Sequence, residues 1–340
     1  MKILKITLCA IIFLFACSPK QQGAILQMET KRIGNWTIYT VPEWAEQKGP
    51  VYISSIVVSA DGSLWFGTTG GAISIGTGAY RFDGKRWLHY TSQNSGLPFD
   101  EISSIAASPD GTIWFTSFCC GVTHFDGTTW KQYTVENGLK SNDVRSSIIA
   151  PDGSLWLGNE EYGILRFKEN QWTTYTVQDG LSANWAGHIE ILPNNSLLFS
   201  VSGGGRPRLN LYDRNEWMVF PTTEKLTQTY TFDVAISLDG TMWFATEKYG
   251  VFSFYNGSWV NYTTKDGLAG DSACCVITAN DGAIWFGTDK GISRFDGKNW
   301  KNFTTGTGLT NNWINSIAIE SDGTLWFGSA SAIYRYQLSK

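Results

Sequence analysis

Basic clusters, histidine and long apolar runs with helical spacing are all scarce in this sequence. Its 340 residues include 26 Lys and Arg against 30 Asp and Glu, which gives a net charge of −4. Because phosphate recognition needs a concentrated positive surface, the absence of a basic cluster argues against nucleic acid as a partner. Beyond residue 30, no long stretch has the apolar spacing of an amphipathic helix. These absences favour an all-β chain that does not bind nucleic acid.

Motifs for catalysis and metal binding are equally scarce. The chain has three His residues and no nucleophile elbow, phosphate-binding loop or dinucleotide motif. The vicinal pairs Cys119-Cys120 and Cys274-Cys275 have neither the C-x-x-C spacing nor the His partners of a zinc site. The sequence therefore predicts no metal, no cofactor and no dedicated catalytic residue. We expect Cys274-Cys275 to be small side chains of an inner strand.

The first residues have the composition of a targeting signal. Two lysines precede an apolar run, Ile6 to Phe15, which is too short to span a membrane as a helix. The run ends in Leu14-Phe15-Ala16-Cys17, which resembles the bacterial lipobox. That resemblance implies a signal peptide over residues 1–16, a lipid on Cys17 and, because residue 18 is Ser, the outer membrane. An ordinary secretory signal is the alternative. We predict a flexible tether over residues 17–30.

Aromatic residues and glycine are abundant, and they recur in a repeated unit. The sequence contains 16 Trp, 14 Tyr, 19 Phe and 36 Gly, which suits short strands joined by tight turns. A first half-unit, D-G-x-(L/I/M)-W-(F/L), begins at Asp61, Asp110, Asp152, Asp239, Asp281 and Asp322. A degraded copy runs from Asn194 to Phe199. A second half-unit, W-x-x-(Y/F), begins at Trp36, Trp87, Trp130, Trp172, Trp217, Trp259 and Trp300. Each half-unit therefore occurs seven times, and each Asp-Gly is expected to make a turn rather than bind calcium.

The two sets of copies are out of phase at the chain ends. The last first half-unit, at Asp322, has no second half-unit after it, whereas Trp36 stands before any first half-unit. A closed ring needs this offset, because the N-terminal strand then completes the last sheet and hides two edges. The sequence predicts an all-β fold over residues 31–340. This fold is a seven-bladed β-propeller of four-stranded antiparallel blades, closed by the N-terminal strand.

The repeat resembles a known family. W-x-x-Y-T-x-x-(N/D)-G-L followed by D-G-x-L-W-F-G-T-x-x-G-(I/V)-x-R-F-D-G is similar to the two-component regulator propeller repeat, over residues 31–340. In that family, such propellers form the periplasmic sensors of hybrid histidine kinases. This chain shows one ring and no kinase sequence. The resemblance therefore implies a sensor-like binding ring in the cell envelope and not signalling by this chain itself.

Residues that the repeat does not require are the candidates for function. Three Trp residues, Trp44, Trp185 and Trp313, fall outside both half-units. Nine residues before each Asp-Gly stand Tyr52, Glu101, Asp143, Trp185, Tyr230, Ser272 and Trp313. We expect this position to ring the channel mouth, although the aromatics could instead pack between blades. Arg145, His188, Glu190 and Asp233 follow nearby, whereas Glu160-Glu161-Tyr162 is expected to form a solvated rim.

Three functions remain open at this point. The first is a non-enzymatic ring that binds a saccharide or an envelope protein, because aromatic faces beside hydrogen-bonding groups suit a sugar. The second is a glycan hydrolase or lyase that uses His188 with Glu190 or Asp233. The third is a scaffold for other envelope proteins. The predicted ligand-binding residues are Trp185, Trp313, Tyr230, Tyr52, His188, Arg145, Asp143 and Asp233.

Overall fold

The computed structural model describes residues 23–71, 75–213 and 215–338. The strands that precede the first blade are β1 (Ala24–Leu26), β2 (Glu29–Ile33) and β3 (Trp36–Thr40). Blades 1 to 3 contain β4 (Val51–Val58), β5 (Leu64–Gly70), β6 (Ala79–Phe82), β7 (Trp87–Tyr90), β8 (Ser104–Ala107), β9 (Ile113–Thr116), β10 (Val122–Phe125), β11 (Trp130–Tyr133), β12 (Val144–Ile149), β13 (Leu155–Asn159), β14 (Ile164–Lys168) and β15 (Gln171–Tyr175). Blades 4 to 7 contain β16 (Trp185–Ile191), β17 (Leu197–Gly203), β18 (Arg206–Asp213), β19 (Glu216–Phe220), β20 (Thr231–Ile236), β21 (Met242–Thr246), β22 (Val251–Tyr255), β23 (Ser258–Tyr262), β24 (Ala273–Thr278), β25 (Ile284–Thr288), β26 (Gly291–Phe295), β27 (Trp300–Phe303), β28 (Ile314–Ile319), β29 (Leu325–Ser329) and β30 (Ile333–Tyr336).

Over the described residues, helical structure is limited to short 3₁₀ turns in the connections. They span Pro42–Glu46, Val135–Asn137, Val177–Asp179, Lys225–Gln228 and Thr305–Thr307. In the described part of the chain, no helix has the length and apolar character needed to cross a membrane.

The strands form seven antiparallel sheets, and each sheet is one blade of a propeller. Blades 1 to 6 take four consecutive strands each, starting at β4, β8, β12, β16, β20 and β24. Blade 7 takes β28, β29 and β30, and β3 pairs with β30 as its fourth strand. The inner strands contact each other in sequence, and β28 of blade 7 packs against β4 of blade 1. The prediction of a seven-bladed propeller with four-stranded antiparallel blades is confirmed.

The Asp-Gly turns explain the regular spacing of the blades. Gly62 adopts a φ of +80°, a left-handed conformation that glycine tolerates best. Asp61 Oδ1 accepts a hydrogen bond from the Ser63 amide at 2.9 Å, which closes the turn. In the degraded copy, Asn195 takes the left-handed position with a φ of +66°, and Asn194 accepts from Ser196. The degraded copy therefore keeps the turn even though it has lost the Asp-Gly.

The segment before residue 30 corrects the predicted tether. The part that precedes residue 23, which includes the predicted signal peptide and Cys17, lies outside the described residues. From residue 23 onward, β1 pairs with β7 at the outer edge of blade 1, and β2 pairs with β3 at the outer edge of blade 7. An outer strand leaves its backbone N–H and C=O groups free, so an extended neighbour can satisfy them. Where the sequence predicted a flexible tether, the structure therefore has paired strands over Ala24–Leu26 and from Glu29 onward.

Aromatic side chains fill the spaces between blades. At the junction of blades 7 and 1, Trp326 is fully buried and its ring stacks on Tyr39 at 5.6 Å between centroids. Trp87 and Phe66 of blade 1 also pack against Trp326. Because both faces of a blade meet a neighbour, the repeat requires large apolar side chains on both faces of its strands. The repeated Trp residues therefore belong to the scaffold.

Candidate functional site

The inner strands enclose a channel with a cavity of about 590 Å³. Six of these seven strands carry a bulge near their first residues. A bulge inserts an extra residue and redirects its side chain relative to the regular alternation of the strand. The bulge residues that line the cavity are Ser54, Arg145, Gly187, His188, Phe232, Cys274 and Asn315. The bulges therefore supply part of the channel wall.

The aromatic residues predicted at the mouth do not all reach this cavity. Trp185 lines it, whereas Tyr52, Tyr230 and Trp313 are not among its lining residues. The four rings form two pairs across blade junctions: Trp185 with Tyr230 at 5.4 Å, and Tyr52 with Trp313 at 6.4 Å between centroids. Trp313 is 47% exposed, so it presents a free surface beside the channel.

Trp185 is held against the inner strand of its own blade. A Cβ added at Gly187 would lie only 2.9 Å from Cζ3 of the Trp185 ring and 2.9 Å from the hydroxyl of Ser200. Gly187 therefore leaves the space that the indole occupies at the channel wall. Trp185 thus has a dedicated position at the wall, although neither repeated Trp motif requires it.

Two aromatic residues at the cavity were not predicted. Phe118, in the connection between β9 and β10, is 39% exposed, and Phe232, in the bulge of β20, is 41% exposed. Both line the cavity. Large apolar side chains of this exposure cost free energy in water, and they often mark binding surfaces when they gather around a cavity.

Arg145 organises the first of two charged clusters at the channel. Its guanidinium binds Glu160 Oε2 through Nη2, lies 3.5 Å from Asp143 Oδ1 through Nε, and covers the Phe118 ring at 4.8 Å. Burial, together with the neighbouring Glu160, raises the pKa of Asp143 to about 6, and Arg145 offsets only part of this effect. The Glu160 side chain is 40% exposed and does not line the cavity, as predicted for a solvated rim, but it also binds Arg145, which does line it.

His188 organises the second cluster. Its Nε2 lies 3.3 Å from Asp233 Oδ1 and 3.7 Å from Glu190 Oε2. Burial alone would lower the pKa of His188, but the two carboxylates outweigh burial and raise that pKa above its ordinary value. Burial also raises the pKa of Asp233 to about 6, even though His188 and the amide of Val276 favour the ionised carboxylate. The predicted trio of His188, Glu190 and Asp233 does lie together.

His188 and Asp233 also occupy positions at which, in the other blades, side chains link neighbouring inner strands. Around the channel, a small side chain of one inner strand donates to a backbone carbonyl of the next strand. These bonds run from Ser54 to Ile102, Ser103 to Val144, Ser146 to Gly187, Cys275 to Ile314 and Ser316 to Ile53. Between blades 4 and 5 the link is His188 with Asp233, and Asp233 in turn accepts from the Val276 amide of blade 6 at 2.7 Å. We call this circle of contacts the interblade belt. His188 and Asp233 therefore also hold blades together.

The cysteines of the propeller fall into two chemical states. Cys119 and Cys120 form a vicinal disulfide in the connection that carries Phe118. Cys274 and Cys275 are free thiols of β24, as expected for small side chains of an inner strand. Burial, with Asp289 nearby, raises the pKa of the Cys274 thiol to about 12, so this thiol is a poor nucleophile at neutral pH. Neither pair provides a metal site: over residues 23–71, 75–213 and 215–338, no three His, Cys, Asp or Glu side chains are grouped to hold an ion.

The sequence contained a signal for the missed lining residues. Seven residues before the first residue of each turn stand Ser54, Ser103, Arg145, Gly187, Phe232, Cys274 and Asn315. This offset coincides with the bulges in six blades, whereas the offset of nine gives Trp185 at the wall and Tyr52, Tyr230 and Trp313 outside the cavity lining. Alignment at seven residues would have found Phe232, but a bulge cannot be located from the repeat alone.

Comparison with known proteins agrees with this fold. Residues 308–331 match the family model described as the two component regulator propeller. No curated protein matches the chain. Among solved structures, the extracellular domain of a hybrid two component system from B. thetaiotaomicron has a TM-score of 0.70 at 18% identity, over 92% of this chain and 42% of that chain. The chain spans less than half the length of the extracellular domains that it matches in this way.

Two further structures show how widely the fold is used. The virginiamycin B lyase from Staphylococcus aureus has a TM-score of 0.70 at 14% identity, over 92% of this chain and 100% of that chain. PorZ of Porphyromonas gingivalis, a surface component of the type-IX secretion system, has a TM-score of 0.63 at 16% identity, over 91% of this chain and 46% of that chain. At these identities the likeness establishes the fold alone. The chain is thus a seven-bladed β-propeller, and within it residues 308–331 match the two component regulator propeller model.

Proposed function

We propose that the chain is a binding ring of the cell envelope that holds a saccharide at the mouth of its channel. The observation that carries the proposal is the position of Trp185 at the wall of the channel cavity, in space left by Gly187. Small-molecule sites are concave, mostly apolar and supplied with a few polar groups, and cavities of roughly 300–1,000 Å³ are typical. The cavity of about 590 Å³ falls in this range.

The surroundings of Trp185 suit a sugar. Phe118 and Phe232 add apolar faces, and the carboxylates and guanidinium of the two charged clusters add acceptors and donors. A sugar ring presents C–H groups to an aromatic face and hydroxyls to polar side chains. A purely apolar ligand would take these charged groups out of water without offering them hydrogen bonds in return, which costs free energy.

A binding experiment tests this proposal. Neutral oligosaccharides and peptidoglycan fragments are titrated into the wild-type protein and the Trp185→Ala variant by isothermal calorimetry. We expect a saccharide to bind and the variant to lose at least about tenfold in affinity, as is usual for a central aromatic contact. Leu238→Ala is the matched control, because Leu238 is 81% exposed in the β20–β21 turn, outside the cavity lining. A wild-type protein that binds none of these compounds, or a variant that binds them unchanged, would contradict the proposal.

A second function, a hydrolase or lyase, is favoured by one specific observation. His188 lies within 3.7 Å of both Glu190 and Asp233 and lines the cavity. A His whose pKa is raised by two carboxylates keeps its proton to a higher pH than an ordinary His, which favours a role as general acid toward a leaving group. Turnover of an oligosaccharide by the wild-type protein, measured by mass spectrometry and abolished in His188→Gln, would establish this function. Binding without turnover would exclude it for the compounds tested.

Attachment to the envelope through Cys17 is a separate part of the proposal. The support is the lipobox-like sequence before Cys17 and the likeness of the ring to extracellular sensor domains. When the full chain is expressed in a bacterial host, we expect labelled palmitate to enter the wild-type protein but not the Cys17→Ser variant. Labelling of the variant, or an unlabelled wild type, would contradict lipid attachment.

A further inference from the structure

Both charged clusters at the channel contain more carboxylates than cations. Arg145 faces two carboxylates, Glu160 and Asp143. His188 likewise faces two, Asp233 and Glu190. A single cation can neutralise only one carboxylate, so each cluster retains a negative charge even when His188 is protonated. Inside a partly buried site this charge is weakly screened and interacts strongly with a ligand.

The rest of the channel wall does not supply the missing cations. Among the described residues that line the cavity, Arg145, His188, Glu190 and Asp233 are the only charged side chains. One buried acceptor of the cavity wall, the side-chain oxygen of Asn315, also lacks a hydrogen bond in the described part of the chain, whereas Asp143 Oδ1 lies 3.5 Å from Arg145 Nε. Unfilled buried acceptors are costly, and they call for a donor that the protein does not provide.

The aromatic residues add to the attraction for a cation. Trp185, Phe118 and Phe232 line the same cavity as the clusters. An ammonium group is attracted to the face of an aromatic ring by the quadrupole of its π-system, most strongly where water is excluded. The Phe118 ring already has the Arg145 guanidinium 4.8 Å from its centroid, which shows that this surface accepts a positive charge.

From these three features we infer that the ligand of the channel mouth carries a primary ammonium group. The inference rests on the proposed function, because it names the chemistry of the ligand held at that same site. An ammonium has three donors and one positive charge, so it can fill an unfilled acceptor and compensate a carboxylate at once. The amine can belong to an amino sugar or to a lysine of a peptide, and acetylation removes the charge from either one.

Two matched pairs of probes test the inference. One pair is the glucosamine tetramer and the N-acetylglucosamine tetramer; the other is Gly-Lys-Gly amide and the same peptide acetylated on its lysine and N-terminus. Each probe is titrated into the full protein by isothermal calorimetry at pH 7, in low salt and in 0.5 M salt. We expect the amine member of at least one pair to bind at least tenfold tighter in low salt, and this preference to shrink in high salt. The pair that shows the preference identifies the source of the amine.

Variants that remove one carboxylate locate the effect. Glu190→Gln and Glu160→Gln should each weaken the amine probe about tenfold and leave its acetylated counterpart unchanged. The two variants lie in different clusters, so one remains informative if the other fails to fold by circular dichroism. Glu216→Gln is the matched control, because it removes an exposed carboxylate from the outer strand β19. Loss of amine binding in this control would point to the net charge of the protein and would overturn the inference.

The two proposals fail in different ways. Equal or tighter binding of the acetylated probes would overturn the ammonium inference, while saccharide binding at the mouth would stand. If the sugars and peptides all fail to bind, together with the neutral panel above, the proposed binding function itself is wrong. An amine preference that persists in both carboxylate variants would also overturn the inference, because the two clusters would then not be its cause.

Discussion

The strongest structural prediction concerns the strand that completes blade 7. In β3, the side chains of Trp36, Ile38 and Tyr39 are 5%, 2% and 9% exposed. Burial of each such side chain contributes about 1.5–3 kcal/mol, so removal of all three costs about 5–9 kcal/mol. A domain of ordinary stability has only about 5–15 kcal/mol in total. A chain that begins at residue 41 should therefore unfold or lose most of its stability.

The matched control is a chain that begins at residue 34. It keeps β3 but lacks β1 and β2, and most side chains of β2 are exposed. Urea denaturation, followed by tryptophan fluorescence and circular dichroism, compares both with a chain that begins at residue 23. We expect the chain that begins at residue 34 to lose far less stability than the chain that begins at residue 41. Equal urea midpoints for these two would refute the argument that β3 holds the last blade together.

Three further predictions concern single side chains. Trp326→Ala should lower the free energy of unfolding by about 3–5 kcal/mol, because it empties a buried junction. Trp313→Ala should change that free energy by less than about 0.5 kcal/mol. Similar losses of stability for the two variants in urea denaturation would contradict the assignment of Trp326, but not Trp313, to the scaffold. Gly328→Ala should cost about 1–3 kcal/mol, because its Cβ would lie 2.4 Å from a side chain of blade 1, and an unchanged urea midpoint would argue against this close contact. Asp233→Asn should lower the pKa of His188, measured by NMR of the ring. Because the pKa of His188 is raised on folding, protonation of the ring stabilises the fold at pH values below 6.5, the ordinary pKa of a His side chain. That stability is lost as the pH rises through the pKa of His188 in the folded protein. The free energy of unfolding of the variant should therefore depend less on pH in this window. An unchanged His188 pKa in the variant would contradict the role of Asp233.

The scaffold was predictable from sequence because packing imposes the same demand on every blade. A position such as Trp326 meets two neighbouring blades, so only a large ring fills it, and the repeat records this requirement. The turn beginning at Asp61 recurs for a similar reason, since few residue pairs close a tight hairpin. Even the copy at Asn194 keeps its turn by the same hydrogen bond.

The lining of the channel was predictable only in part. Trp185 was found because it departs from the repeat, and His188 and Asp233 because charged residues are not needed in an inner strand. Phe232 was missed because a bulge shifts the register locally, and the repeat carries no information on where pairing slips. The ion pair of Glu160 with Arg145 was not predicted, because the two residues come from different segments of the chain and sequence does not show that two side chains meet.

The pairing of β3 with β30 has a consequence for biosynthesis. Trp36 pairs with Tyr336, so β3 stays without its partner until all the other blades and β30 have been synthesised. Non-local pairing of this kind slows folding, and an unpaired strand edge that stays open can associate with other chains. A partly synthesised or partly exported chain therefore carries an unfinished seventh sheet. Until β3 has paired with β30, the edge of this sheet must be kept from pairing with a strand of another chain.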